Sequence, residues 1–275
     1  MGDFWNIMLD TSTIIGLILA LFIGVTLGLI GSGGSILTVP ILVYVVGLNP
    51  VIATAYSLFI VGSTAFVGSI RHTLDKNVVF KIVALFGIPS LLSVFFTRSQ
   101  LVPLLPDEFV LKNNFAIPKS TFIMILFGVV MFAAASRMIK KPRQKSIGKP
   151  EVATAAIPLM FQGILIGVVS GIVGAGGGFL IVPALLFFAD LPMRKAVGTS
   201  LTIVAIQSLS GFLGDLSYQH IDWPLILSFS AISIFGLFIG IRLSKRIIDG
   251  NLRKIFGWFI LVMSLYILSK EILGY

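Results

Sequence analysis

A glycine-rich segment occurs twice in this chain and constrains its fold more than any other feature. It reads GLIGSGGSILTVP over 28–40 and GIVGAGGGFLIVP over 171–183, and seven of the thirteen positions are identical. The pairing of Gly28 with Gly171 continues without a gap to pair Ser57 with Ser200 and Gly68 with Gly211; we call this pairing the repeat alignment. The chain is therefore an internal duplication, with one repeat on each side of a central boundary.

The composition identifies an integral membrane protein. Apolar residues make up 57% of the chain and charged residues 11%, whereas roughly 25% of a soluble domain is charged. A helix needs about 20 residues to cross a hydrocarbon core about 30 Å thick, and apolar runs recur along almost the whole length. They predict an all-α fold with about ten transmembrane helices, at 12–31, 35–48, 52–70, 79–97, 119–139, 154–174, 179–190, 194–214, 223–242 and 252–270.

Basic residues set the predicted orientation. A polar linker at 140–152 divides a first repeat at 1–139 from a second at 153–275, and its charge predicts that it is cytoplasmic. Ten crossings threaded from this linker place 16 of the 20 Lys and Arg residues inside and both termini outside. Eight crossings would put the basic stretch at 242–254 outside, so we favour ten. Five helices per repeat then give two inverted-topology repeats in a multi-pass plasma-membrane protein.

The glycine-rich segments predict helix breaks that bind an anion. The helices after them, at 35–48 and 179–190, span only about 21 Å and about 18 Å, so each break is expected to be recessed into the membrane. The helix after a break presents unpaired N–H groups and a partial positive charge. Two such N-termini converging from opposite faces would hold an anion without a buried cation. The alternative for a glycine motif is close helix packing of the small-xxx-small type.

Backbone N–H groups at the breaks and hydroxyls near the start of the third helix of each repeat are the candidate ligands. Ser and Thr hydroxyls donate to an oxyanion, and the alternative is that they bond back to their own helix. An interhelical hydrogen bond would equally satisfy the buried amide of Gln207. The predicted substrate-binding residues are Gly31, Ser32, Gly33, Gly34, Ser35, Ser57, Gly174, Gly176, Gly177, Gly178, Thr199, Ser200 and Gln207.

Ionisable side chains are scarce within the predicted helices, which argues against an enzyme and against a metal or other cofactor. Arg98 and Asp215 lie at predicted helix ends, where snorkelling to the interface explains them.

The chain has no cysteine, and the run from Gly31 to Gly34 lacks the Gly-Lys-Ser/Thr of a P-loop. The net charge of +9 is assigned to cytoplasmic loops, so no nucleic acid partner is predicted. These features indicate a secondary transporter of a small anion, driven by a proton or sodium ion. The alternative is an anion channel that uses the same helix dipoles.

The paired motifs resemble the signature of the sulfite exporter TauE/SafE family of membrane permeases. In that signature a glycine-rich segment leads into Val-Pro, and an Ala-x-Gly-Thr-Ser stretch follows. The second half is similar over 171–183 and 196–200, whereas in the first half Ser35 replaces the third Gly and Thr-Ala-Tyr-Ser replaces x-Gly-Thr-Ser. The resemblance implies a plasma-membrane transporter for sulfur-containing anions such as sulfite, sulfoacetate or related organosulfonates.

Overall fold

The computed structural model describes residues 11–31, 34–106, 108–111, 115–139, 156–174, 178–189, 191–216, 221–245 and 249–273. The predicted linker at 140–152 and the two chain termini lie outside these residues. The first half contains α1 (Thr11–Ile30), α2 (Gly34–Tyr44), α3 (Pro50–Leu74), α4 (Phe80–Leu104) and α5 (Lys119–Ile139). The second half contains α6 (Ala156–Val173), α7 (Gly178–Phe188), α8 (Met193–Asp215), α9 (Trp223–Ser244) and α10 (Asp249–Leu273).

The all-α membrane class predicted from composition is confirmed. Within the described ranges six helices, α3 to α6, α8 and α9, are long and apolar enough to cross a membrane by length and composition. Large apolar side chains such as Ile157, Phe161 and Phe235 are exposed on the outside of the bundle, as a lipid-facing surface requires. One feature was not predicted: β1 (Glu108–Leu111) and β2 (Phe115–Pro118) form an antiparallel hairpin between α4 and α5.

Two wide turns interrupt α4. Val83–Gly87 and Thr97–Leu101 are π-helical, and each turn precedes a proline, Pro89 and Pro103. Proline cannot donate to the carbonyl one turn earlier and its ring crowds that carbonyl, so a widened turn relieves the conflict. The helix therefore continues to Leu104, beyond the end predicted at residue 97.

The two halves interleave instead of forming separate bodies. The most extensive contacts join α1 to α9, α4 to α6, α3 to α8 and α5 to α10. In the repeat alignment α1 corresponds to α6 and α4 to α9, so the first two contacts are equivalent. The α3–α8 pair joins a helix to its own counterpart, and the α5–α10 pair joins the last helix of each half. Each repeat therefore completes its core only by packing on the other.

Glycines bring α1 and α9 into backbone contact. A Cβ atom at Gly24 or Gly28 would overlap a carbonyl oxygen of α9, and one at Gly236 or Gly240 would overlap a carbonyl oxygen of α1. Small residues four apart permit this approach, which is the usual route to tight association in membranes. For Gly28 the close-packing alternative is therefore correct.

Candidate functional site

Each glycine-rich segment ends its first helix with a glycine in the left-handed conformation. Gly31 has φ of 85° and Gly174 has φ of 69°. Gly31 N donates to Leu27 O at 2.7 Å, and Gly174 N donates to Ser170 O at 2.8 Å. A left-handed residue that bonds back to the last turn is a common helix terminator, and glycine adopts it without a steric penalty.

Each break packs against the third helix of the other half. A Cβ atom at Gly31 would lie 2.8 Å from Val197 Cα on α8, and one at Gly174 would lie 2.8 Å from Thr54 Cα on α3. Val197 and Thr54 are themselves paired in the repeat alignment, so the two contacts are equivalent. Both breaks are thus built from residues of both repeats.

The two breaks lie at opposite ends of α8. Gly31 meets Val197 near the start of α8, whereas Gly174 adjoins Arg98, which packs on Gly214 near its end. The helical rise from Val197 to Gly214 is about 26 Å. The expectation that the breaks converge on one anion is therefore wrong. The physical reason is that α1 and α6, with 20 and 18 residues, have nearly crossed the bilayer before each break begins.

The first break, at Gly31, adjoins a cavity at one end of the bundle, where α3 and α9 end and α4 and α8 begin. We call this the basic end because Arg71, Arg194 and Lys245 lie there. The cavity has a volume of about 400 Å³, which is within the range of small-molecule sites. His72 is buried, and neither of its ring nitrogens has a hydrogen-bond partner among the described residues. The lining residues include Leu29, His72, Asp75, Asn77, Arg194, Val197 and Lys245.

The predicted hydroxyl ligands divide between the two ends. Ser57 lies one turn beyond Thr54 on α3, near the second break, and its buried Oγ has no partner among the described residues. Thr199 and Ser200 lie near the first break. Thr199 Oγ1 accepts from Val79 N at 3.0 Å, and Ser200 Oγ donates to Val197 O at 2.8 Å.

Gln207 lies midway along α8 and bonds to Ser170, whose carbonyl oxygen accepts from Gly174 N at the second break. Gln207 Oε1 accepts from Ser90 Oγ at 2.8 Å and Gln207 Nε2 donates to Ser170 Oγ at 2.6 Å. The amide therefore links α4, α6 and α8 in the middle of the bundle. This matches the interhelical alternative considered for a buried glutamine.

Close packing also explains the backbone of Gly34, the first residue of α2. A Cβ atom there would overlap Ile23 O and lie 2.5 Å from Leu27 Cγ. Gly178 is buried at the start of α7. The remaining predicted ligands, Ser32, Gly33, Gly176 and Gly177, and the side chain of Ser35 lie outside the described residues.

A buried ion pair at the second break was missed from the sequence. Arg98 is 1% exposed and Asp215 is 5% exposed, and Arg98 Nη1 lies 3.3 Å from Asp215 Oδ2. Snorkelling therefore does not describe Arg98, which belongs to the π turn at Thr97–Leu101 and has its side chain inside the bundle. The available signal was the presence of one acidic and one basic residue at the same predicted end of two helices.

Among the residues that the structure describes, no three His, Asp or Glu side chains lie together as ligands of a metal ion.

The sequence of this chain is similar to those of known membrane transporters. The model of the sulfite exporter TauE/SafE family matches residues 16–267. A probable membrane transporter protein of Xylella fastidiosa is 30% identical over 252 residues, covering 90% of this chain and 92% of the relative. One of Methanocaldococcus jannaschii is 26% identical over 266 residues, covering 92% and 94%. No solved structure matches the chain significantly.

Proposed function

Because the chain belongs to the sulfite exporter TauE/SafE family of membrane transporters, we propose that it carries a small sulfur-containing anion across the plasma membrane by alternating access. Sulfite, sulfoacetate and related organosulfonates are the proposed substrates. One observation carries the mechanism. A cavity at the basic end reaches Val197 beside the first break, whereas the second break, at the opposite end of α8, packs against the side chain of Arg98, which pairs with Asp215.

The cavity suits an anion that enters from the basic end. Arg194 and Lys245 contribute positive charge to its wall, and Asp75 is partly neutralised because Arg71 Nη2 and Lys245 Nζ each lie 3.6 Å from it. A cleft with an excess of one charge raises the local concentration of oppositely charged solutes. The basic end is the cytoplasmic end in our proposal, and both termini are outside.

Internal equivalence supports two inverted repeats and ten crossings. The breaks, the glycine contacts and the helix pairs all recur in the repeat alignment, and the breaks lie at opposite ends. If each repeat took up the conformation of the other, the cavity at the basic end would close and an equivalent cavity would open at the second break. Gly31, Gly34, Thr199 and Ser200 then serve the anion at the basic end. Gly174, Gly178 and Ser57 serve it at the opposite end.

Close packing at the second break favours a carrier over the alternative anion channel. A channel needs a continuous wet path, whereas the side chain of Arg98 packs directly against Gly174 and pairs with Asp215 there. A proton or sodium ion is the proposed driving ion.

We expect purified protein in proteoliposomes to accumulate radiolabelled sulfite or sulfoacetate with saturable kinetics. Accumulation should depend on an imposed proton or sodium gradient, and separate gradients identify the ion. Flux above carrier rates without trans-stimulation would indicate the channel. Absence of flux for every sulfur anion from monodisperse protein would contradict the proposed substrate class.

A single cysteine in the cavity should make transport sensitive to a charged, membrane-impermeant thiol reagent. Ser244 lines the cavity, and its Oγ donates to Ile241 O within its own helix. We expect Ser244→Cys to lose most of its flux when the reagent reaches the basic end, and added substrate to slow this reaction.

Ser269→Cys is the matched control. Ser269 Oγ makes the same kind of bond, to Tyr266 O, but lies toward the opposite end on α10. We expect this variant to be labelled from outside in intact cells with its flux retained, and Ser244→Cys to be protected there. The reverse labelling pattern would overturn the proposed orientation.

A further inference from the structure

We infer that the guanidinium of Arg98 is an oxyanion-binding group at the second glycine break, and that Asp215 holds it in position. This inference rests on the proposed function and assigns a residue to its binding site. The substrate class is a small anion that presents two oxygens on one face, as sulfite and sulfonates do.

The burial and orientation of Arg98 carry the inference. Its side chain is 1% exposed, and Nη1 is the atom that approaches Asp215 Oδ2, at 3.3 Å. Arg98 Nε and Nη2 are buried and have no hydrogen-bond acceptor among the described residues. Nη2 lies against Gly174, since a Cβ atom there would overlap it. A buried donor without an acceptor is costly, so a pair of them directed at a helix break indicates a ligand position.

The chemistry of the unused edge matches an oxyanion. The Nε–H and one Nη–H of arginine form a planar fork that binds two oxygens at once, which an ammonium group cannot do. Asp215 contacts the other side of the guanidinium, so it can orient the group without occupying the fork. Ser57, whose buried hydroxyl also lacks a partner among the described residues, lies one turn beyond Thr54 and supplies a further donor.

Internal equivalence supports the same assignment independently. In the repeat alignment Arg98 and Asp215 correspond to Ile241 and His72, and both of these line the cavity at the basic end. Arg98 also lies within a π-helical turn, an irregularity that is frequent at functional sites. When the end of the bundle that contains the second break opens, the Arg98–Asp215 pair therefore lines a cavity equivalent to the one at the basic end.

The test is the affinity for sulfite and for sulfoacetate at the end of the second break, measured as the concentration that half-saturates flux when the anion is supplied only on that side of proteoliposomes that contain the full-length protein. We expect Arg98→Lys, which keeps the charge but removes the fork, to bind about tenfold more weakly or worse. Asp215→Asn should bind at least as tightly as the wild type, because it removes a negative charge beside the guanidinium. The exposed Arg137→Gln on α5 is the matched control and should not change the affinity.

A double variant separates binding from folding. Arg98→Gln with Asp215→Asn removes both charges together and avoids the unpaired buried charge that a single substitution leaves. We expect this variant to remain monodisperse and to lose binding. Wild-type affinity in Arg98→Lys or in the double variant would overturn this inference and leave the proposed function standing. Failure of the wild type to bind either anion would instead contradict the proposed substrates and remove the premise of the inference.

Discussion

Replacing Gly174 with alanine is expected to reduce anion flux about a hundredfold, the change that about 3 kcal/mol produces. Gly174 has φ of 69°, a conformation that costs an L-residue about 1–3 kcal/mol. The added Cβ would also overlap Arg98 Nη2 and lie 2.8 Å from Thr54 Cα. Backbone of the buried α3 cannot move aside as a flexible side chain can, so α6 and α3 must separate at the break. Flux in proteoliposomes, normalised to folded protein, measures the effect.

Gly47→Ala is the matched control for backbone strain. Gly47 has φ of 80°, so alanine carries a similar conformational cost there, but a Cβ atom would have no neighbour within 4 Å. We expect this variant to transport nearly as well as the wild type. Equal losses in the two variants would show that strain by itself, and not the close contact at the second break, limits transport.

Replacing Gly24 with valine should prevent α1 from packing on α9. A Cβ atom at Gly24 would overlap Ser233 O and lie 2.7 Å from Ser233 C, so the helices must move apart along their interface. Ser233 Oγ also donates across this interface to Ala20 O at 3.0 Å, and that hydrogen bond would be lost with the separation. We expect the free energy of unfolding to fall by about 4 kcal/mol or more, a loss that only such overlaps and similar core defects cause.

Thermal unfolding in detergent and the monodisperse fraction measure this loss. Gly87→Ala is the control, because a Cβ atom at Gly87 meets nothing nearer than 3.5 Å. Alanine also favours the helix over glycine, so stability should stay within about 1 kcal/mol. A stable Gly24→Val protein would mean that α1 and α9 lie farther apart at Gly24 than the overlap with Ser233 O requires.

Local features of the sequence located the helices well. The segment predicted at 12–31 corresponds to Thr11–Ile30, and the one at 179–190 corresponds to Gly178–Phe188. A glycine at one end of each helix, Gly31 after the first and Gly178 at the start of the second, and the hydropathy of the residues between the ends are sufficient for this, because helix boundaries depend on nearby residues. The end of α4 was placed too early because Thr97–Leu101 contains polar residues. In the structure this stretch continues the helix as a π turn ahead of Pro103.

The roles of individual glycines could not be separated in the same way. Gly28 and Gly31 belong to one motif, yet Gly28 packs against Leu237 O, whereas Gly31 has φ of 85° and ends the helix. Both roles require a residue without a Cβ atom, so the residue type alone does not distinguish a packing glycine from a glycine that ends a helix. Thr199 and Gln207 present the same difficulty, because a hydroxyl or amide suits a ligand and an interhelical hydrogen bond equally well.

By itself the sequence determined the membrane class, the duplication and the positions of the two breaks, since these follow from hydropathy, repeat spacing and the unusual φ that glycine permits. Only the tertiary structure decided that the breaks lie at opposite ends of α8 and that Arg98 is buried against Gly174. Those outcomes depend on how α8 aligns with α3 and on which face of α4 turns inward. Contacts between residues distant in the chain set both, and no local pattern encodes them.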